Sequence, residues 1–363
     1  MEKIMTRFNF CVTRSALSRA LALPMLMLML MLLAVKASAN ETKAANDAKT
    51  VNVYSYRQPF LVEPLFEKFT RQTGIKVKVI FAQKGLIERV ALEGRRSPAD
   101  VILTVDAGRL VEAGARIARP VISDILQQHI PAAFRDRENR WFGLTLRARV
   151  AFVSNRVTDI DELNYSELAE PQWRGRICSR TGQHPYNIGM FAAYLHHHGV
   201  DATRDWLAGL KANLARRPSG NDRAQVRAVY AGECDIAIGN TYYMGKMQNN
   251  TESPEQQAWA DAVRLIFPNR QTTGTHVNIS GMMMAQHAPH PGAAQKLMEF
   301  LISPEAQQIY ADMNYEYPVR AGINPSPQTA AWGALNPDLT PMAEIAKLHR
   351  QASRLVDEVG FDQ

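Results

Sequence analysis

Cysteine is scarce in this chain, with three in 363 residues. No Cys-x-x-Cys pair, His-Glu-x-x-His helix or Gly-rich phosphate loop occurs, which removes the common zinc, redox and nucleotide signatures. No serine sits in a Gly-x-Ser-x-Gly elbow, and no nucleophile–base pair stands out. The chain therefore reads as a non-enzyme. His196-His197-His198 is the nearest thing to a zinc cluster, and it reads as a solvated helix end closed by Gly199. His184 lies near a tyrosine and reads as a loop residue. Past the first forty residues or so, no apolar run approaches the roughly 20 residues needed to span a bilayer. No internal repeat is evident.

Charge of one sign is also in short supply once the N-terminus is set aside. The formal net charge is +7. Residues 1–39 read as an export signal. Lys3, Arg7, Arg14 and Arg19 form a basic leader, Ala20 to Val35 is its apolar core, and Ala37-Ser38-Ala39 is the small-x-small cleavage pattern. That segment holds five of the 42 basic residues and one of the 35 acidic ones, leaving 37 and 34. A balance of about +3 is no nucleic-acid signature. The expected location is the periplasm, after cleavage. Cys11 leaves with the leader, so Cys178 and Cys234 remain as an even pair in an oxidising setting. A disulfide between them is plausible, and two buried thiols are the alternative.

What is present is an alternation of short apolar strands with helical patterns. Val51 to Ser55 reads as a strand, Leu61 to Thr70 as a helix ended by Gly74, and Ile75 to Phe81 as a second strand. Leu86 to Leu92 is helical, Val101 to Val105 is extended, and Asp106 opens another helix. Such alternation predicts an α/β fold with a mostly parallel sheet and helices on both faces. Ligands on such sheets bind beyond the carboxyl ends of the strands. Trp141 to Val153 reads as a strand leaving a first lobe for a second, and Val277 to Ala285 as the strand that returns. The expected organisation is lobe one over 50–147, lobe two over 148–276, and a return to lobe one with C-terminal helices over 277–363. Two crossings make a two-stranded hinge around a cleft. The length and organisation suit a monomer.

Three tyrosines draw attention. Tyr242 and Tyr243 follow the buried run Asp235 to Ile238, and Tyr186 follows Gly175 to Cys178. Each cysteine precedes its tyrosine, Tyr186 or Tyr242, by eight residues. Neighbouring side chains on an extended strand face opposite ways, so only a turn or a helix start lets both phenols of the pair reach one point. Three phenolates would make a hard anionic oxygen site suited to Fe3+, because hard oxygen donors favour hard ions. A trivalent ion would drive the proton from a phenol of ordinary pKa near 10. Three ligands leave an octahedral ion half-filled. Arg57, Arg147 and Arg149 suggest what completes it, since guanidinium forks hold small planar oxyanions. A carbonate between the metal and Arg57 with Arg147 fits, and Arg149 competes with Arg147. Asp106 and Asn240 are rim candidates. Local sequence equally allows tyrosines that simply pack and arginines that lie on the surface.

The chain resembles the periplasmic ferric-iron-binding proteins of bacterial iron ABC transporters, within the type II solute-binding fold. The likeness is carried by Tyr54-Ser55-Tyr56-Arg57-Gln58-Pro59, Pro98-Ala99-Asp100-Val101, Trp141 to Thr145, and Gly232 to Tyr243. The resemblance implies iron ligands at Tyr186, Tyr242 and Tyr243, and a synergistic carbonate held by Arg57 and Arg147. Gln58-Pro59 stands where some members place a histidine ligand, which implies the three-tyrosine subgroup. A glutamate ligand used elsewhere in the family has no evident position here. The implied role is capture of Fe3+ and delivery to an inner-membrane permease. A protein of the same fold that cages an organic solute (a polyamine, an amino acid or a phosphonate) is the alternative.

Overall fold

The computed structural model describes residues 49–363; the expected leader lies outside them. In chain order the elements are β1 (Thr50–Ser55), α1 (Pro59–Thr73), β2 (Lys76–Phe81), α2 (Leu86–Glu93), β3 (Val101–Thr104), α3 (Ala107–Ile117), α4 (Asp124–His129) and β4 (Phe142–Ser154). Then follow β5 (Ile177–Cys178), α5 (Pro185–His198), α6 (Val200–Ala212), α7 (Asp222–Ala231), β6 (Ile236–Asn240), α8 (Tyr242–Gln248), α9 (Glu255–Asp261) and β7 (Val263–Ile266). The chain closes with β8 (Val277–Met284), α10 (Pro291–Leu301), α11 (Pro304–Asn314), β9 (Tyr317–Pro318), α12 (Pro327–Ala331) and α13 (Met342–Glu358).

Two lobes share one long strand. In the first, β1 lies parallel to both β2 and β3, and β3 is antiparallel to β8. In the second, β5 is parallel to β6. β4 joins them. Phe142 to Ala148 pairs with β8, and Arg149 to Val153 pairs with β6. Its partner therefore changes between Ala148 and Arg149. The mostly parallel sheet expected from the alternation is thus mixed, because the strands that cross between lobes run against their neighbours. All thirteen residues of β4 are buried. Its second half, Val150 to Val153, is accordingly a continuous apolar run, since a strand covered on both faces has no polar side to alternate.

Local signals explain most boundaries. α1 has Pro59 at its first position and ends on Gly74 at φ 71°, the left-handed geometry glycine supplies. The Asp106 side chain accepts the Arg109 N–H and caps α3. Ser303 caps α11 in the same way, with Pro304 following.

The C-terminal segment departs from the expected simple return to lobe one. β8, α10, α11 and β9 do return, but α13 lies mainly along α5 of the second lobe and also touches α3 of the first. Phe361 anchors it: its ring stands 5.6 Å from that of Phe191, and it lies so close to Gly182 that a Cβ there would come within 2.7 Å. The Asp362 carboxylate accepts N–H from Gly182 at 2.7 Å and O–H from Thr181 at 2.5 Å. No helix among the described residues is long and apolar enough to cross a membrane.

Candidate metal centre

Two helix starts bring the three tyrosines together. β6 ends at Asn240 and runs into α8, whose first two residues are Tyr242 and Tyr243. The turn is fixed from behind: Thr241 N–H donates to the Ala148 carbonyl at 3.0 Å, and Asn240 N–H to Asp222 at 2.9 Å. Tyr186 is the second residue of α5, which starts at Pro185 and is capped by the His184 ring nitrogen. The hydroxyls of Tyr186 and Tyr242 stand 3.4 Å apart. The rings of Tyr242 and Tyr243 stack at 4.3 Å. A disulfide joins Cys178 and Cys234 across 56 residues of chain, with their Cα atoms 5.9 Å apart. It ties the end of β5 to the residues just before β6, the two strands that lead to α5 and α8.

Each phenol ring also carries a cation. The Arg180 guanidinium lies 5.1 Å from the Tyr186 ring centre, Lys246 Nζ 5.1 Å from that of Tyr242, and Arg223 5.5 Å from that of Tyr243. Burial raises the Tyr242 phenol well above its ordinary value, and the nearby Tyr186, Tyr243 and Asp222 add to the shift. Burial and then Asp222 raise Tyr243 too. Left alone, these two phenols keep their protons; a hard cation among them would displace those protons. Among the described residues no group of three His, Cys, Asp or Glu side chains could hold a metal ion.

Two buried carboxylates organise the surrounding arginines, and neither was singled out in the sequence. Asp222 is fully buried at the start of α7. It accepts from Arg149 at 2.8 Å and from Arg180 at 2.9 Å. Arg149 also donates to Asn187 at 2.6 Å and to Asn240 at 3.2 Å, tying β4 to α5 and β6. Glu316, 1% exposed, accepts twice from Arg57, at 3.0 and 3.1 Å. Arg57 also donates to Ser280 at 2.7 Å. Arg147 lies 4.0 Å from Glu316, donates to Ser280 at 3.4 Å, and bonds the Val105 carbonyl. Burial works against the ion pair, yet Arg57 and Arg147 win and hold the Glu316 carboxyl below its usual range.

The structure therefore brings Tyr186, Tyr242 and Tyr243 together, and Arg57 with Arg147. It separates Arg149 from Arg147, because the two flank the change of partner in β4 and serve different carboxylates. Asp106 caps α3 and accepts from Asn278 at 2.9 Å. His184 is a helix cap, and burial followed by Arg180 pushes its imidazole down to about 4. His197 pairs with Asp338 at 2.8 Å rather than with its histidine neighbours. A signal for Asp222 was present in Asn221-Asp222, a helix start beneath the tyrosine strand. Glu316, inside Tyr315-Glu316-Tyr317, carries none that marks a buried acid.

Comparison with known proteins bears on what this cluster serves. Residues 64–337 match the family of bacterial extracellular solute-binding proteins. Iron uptake protein A1 of Synechocystis is 40% identical over 318 residues, covering 87% of this chain and 88% of that protein. The solved Bordetella ferric binding protein is 45% identical with a TM-score of 0.84, covering 86% of this chain and all of that one. A Trichodesmium protein solved in complex with iron and citrate ligands is 41% identical with a TM-score of 0.83, over 86% of this chain and 99% of that one. With a match over most of its length and a shared two-lobed architecture, the chain belongs to the bacterial extracellular solute-binding proteins.

Proposed function

We propose that this protein captures Fe3+ in the periplasm through the phenolates of Tyr186, Tyr242 and Tyr243, with a carbonate completing the site, and delivers the ion to an inner-membrane ABC permease. The observation that carries the reading is the convergence of phenols from α5 and α8, with two hydroxyls 3.4 Å apart. Relatives covering most of the chain are named for iron uptake and ferric binding, which supports the same cargo here. Three phenolates neutralise the ion's three charges, which leaves the carbonate's own charge for the surrounding cations to answer. Arg57 and Arg147, which share Ser280 and Glu316, are the residues proposed to hold that anion. The protein acts as a monomer, exported by its N-terminal segment, and no bond of the cargo is made or broken.

Iron affinity measured by competition with a chelator tests the reading. Tyr242→Phe and Tyr243→Phe each remove one anionic donor and keep the ring, so each should weaken binding at least about a hundredfold, the loss of a buried charged contact. Unchanged affinity in both would contradict the ligand set and recast the tyrosines as a cage for an organic solute. Arg57→Ala should weaken binding chiefly when bicarbonate is present; an equal loss without it would give Arg57 a different role.

A further inference from the structure

The three tyrosines are not held alike. Tyr242 and Tyr243 follow directly on β6, and the turn before them is fixed by the Ala148 carbonyl and by Asp222. Tyr186 instead follows residues 179–184, the loop that links β5 to α5. A loop outside the sheet ladder takes its shape from whatever satisfies its backbone groups. The position of Tyr186 therefore depends on what holds that loop.

Its two halves have different holders. The buried Asn187 side chain donates to the Ser179 hydroxyl and to the carbonyls of Arg180 and Thr181, at 3.0 to 3.1 Å. That grip stops at Thr181. The second half is held from the end of α13. The Asp362 carboxylate accepts the Thr181 hydroxyl at 2.5 Å, the Gly182 N–H at 2.7 Å and the Gln183 N–H at 3.3 Å. The Gln183 side chain donates to the Ser353 carbonyl at 2.9 Å and to Asp357 at 2.7 Å. The donors to Asp362 are neutral, two amides and a hydroxyl. An ionised carboxylate only accepts, so it can take all three at once, and such bonds are stronger than neutral ones. Asp362 is itself anchored. Phe361 beside it is fully buried, and Arg217 donates to the Asp362 main-chain carbonyl at 2.8 Å. Three successive residues are thus fixed immediately before His184, whose ring nitrogen accepts the Tyr186 N–H at 3.2 Å.

We infer that Asp362 is a positioning residue for Tyr186: by clamping residues 181–183 it sets where α5 begins, and so where the Tyr186 phenol stands relative to Tyr242. This rests on the tyrosine reading of the site. Asp362 is not a ligand. It raises the share of molecules in which α5 starts in the ligating position, and apparent affinity scales with that share. Groups that orient a metal ligand matter in this way without touching the ion.

The test is a double-mutant cycle on ferric affinity, measured by chelator competition, for wild type, Asp362→Ala, Tyr186→Phe and the double variant. A thermal melt of each confirms folding. Asp362→Ala should weaken iron binding about tenfold, the usual cost of losing a group that orients a metal ligand. In the Tyr186→Phe background the same change should cost less than about twofold, because no phenolate is left to position and independent sites simply add. A purely structural loss would weaken both backgrounds alike. Asp362→Asn keeps an acceptor for the Gly182 N–H and should recover most of the affinity. Should Asp362→Ala fail to fold, the cycle is run with Thr181→Val, which removes only the hydroxyl donor and should give a smaller loss that again requires Tyr186. Equal losses in both backgrounds, or no loss with Tyr186 present, would overturn the assignment while leaving the tyrosine ligands standing. Unchanged affinity in Tyr186→Phe alone would overturn the ligand set, and this inference with it.

Discussion

The two arginine–carboxylate clusters have the same parts and different work. Each sets one buried acid against two arginines, and β4 supplies one arginine to each: Arg147 to Glu316, Arg149 to Asp222. The Asp222 cluster stands directly behind the phenols. Its Arg180 covers the Tyr186 ring, and its carboxylate holds the Asn240 N–H two residues before Tyr242. The Glu316 cluster ties β8 to the loop after β1 through Ser280 and Arg57. It reaches α8 through the charges of Arg57, Arg147 and Glu316, which act on Lys246, and through Tyr315. That residue has φ 55°, and its ring packs so tightly on Gly245 that a Cβ there would come within 2.3 Å. One cluster shapes the ligands; the other braces the crossing between lobes. A buried pair is weak evidence for stability as such, but breaking one leaves a charge uncompensated.

The sharpest way to break the comparison is to neutralise each acid. Asp222→Asn leaves two buried guanidiniums without their anion and should destabilise the protein by about 3–5 kcal/mol in urea unfolding. It should also abolish the tyrosinate–iron band. Glu316→Gln should cost a similar amount and keep the band. Equal loss of the band in both would erase the distinction. The disulfide braces only the Asp222 side. Replacing Cys178 and Cys234 by serine should lower stability by about 2–4 kcal/mol, read from the unfolding midpoint. Gly245→Ala tests the bridge between the clusters. The added methyl meets the Tyr315 ring, so a loss of about 1–3 kcal/mol should appear with weakened iron binding. Full retention of both would show that the contact gives way freely.

The smallest effect is one of pH. The Glu316 carboxyl is held below its unfolded value. Its contribution is complete above the ordinary glutamate range and disappears as pH falls through the lowered folded value. Wild type should therefore lose more stability than Glu316→Gln as pH drops below about 4. Parallel stability curves for the two proteins over that range would remove this assignment.

Much of this was legible in residue order. The alternation of strands and helices and the two-lobed α/β fold rest on local signals, and the structure places them so. His184 reads as a loop residue in the sequence, yet it caps α5, which starts at Pro185. Proline at the first helical position was the missed signal. Ile345, Leu355 and Val356 mark an amphipathic helix at α13 without saying which lobe covers it. Arg147 and Arg149 were inseparable in sequence because a strand's period says nothing of where its partner changes. Glu316 and Asp222 were illegible for a related reason. A buried acid is recognised by the arginines that reach it, and those come from 42 to 259 residues away.

The measurement that bears most directly on the central claim is a crystal structure of the iron-loaded protein, with anomalous data collected at the iron absorption edge. The account predicts a single strong anomalous peak in bonding contact with the hydroxyl oxygens of Tyr186, Tyr242 and Tyr243. A peak elsewhere, or one bonded to fewer than two of these tyrosines, would contradict it.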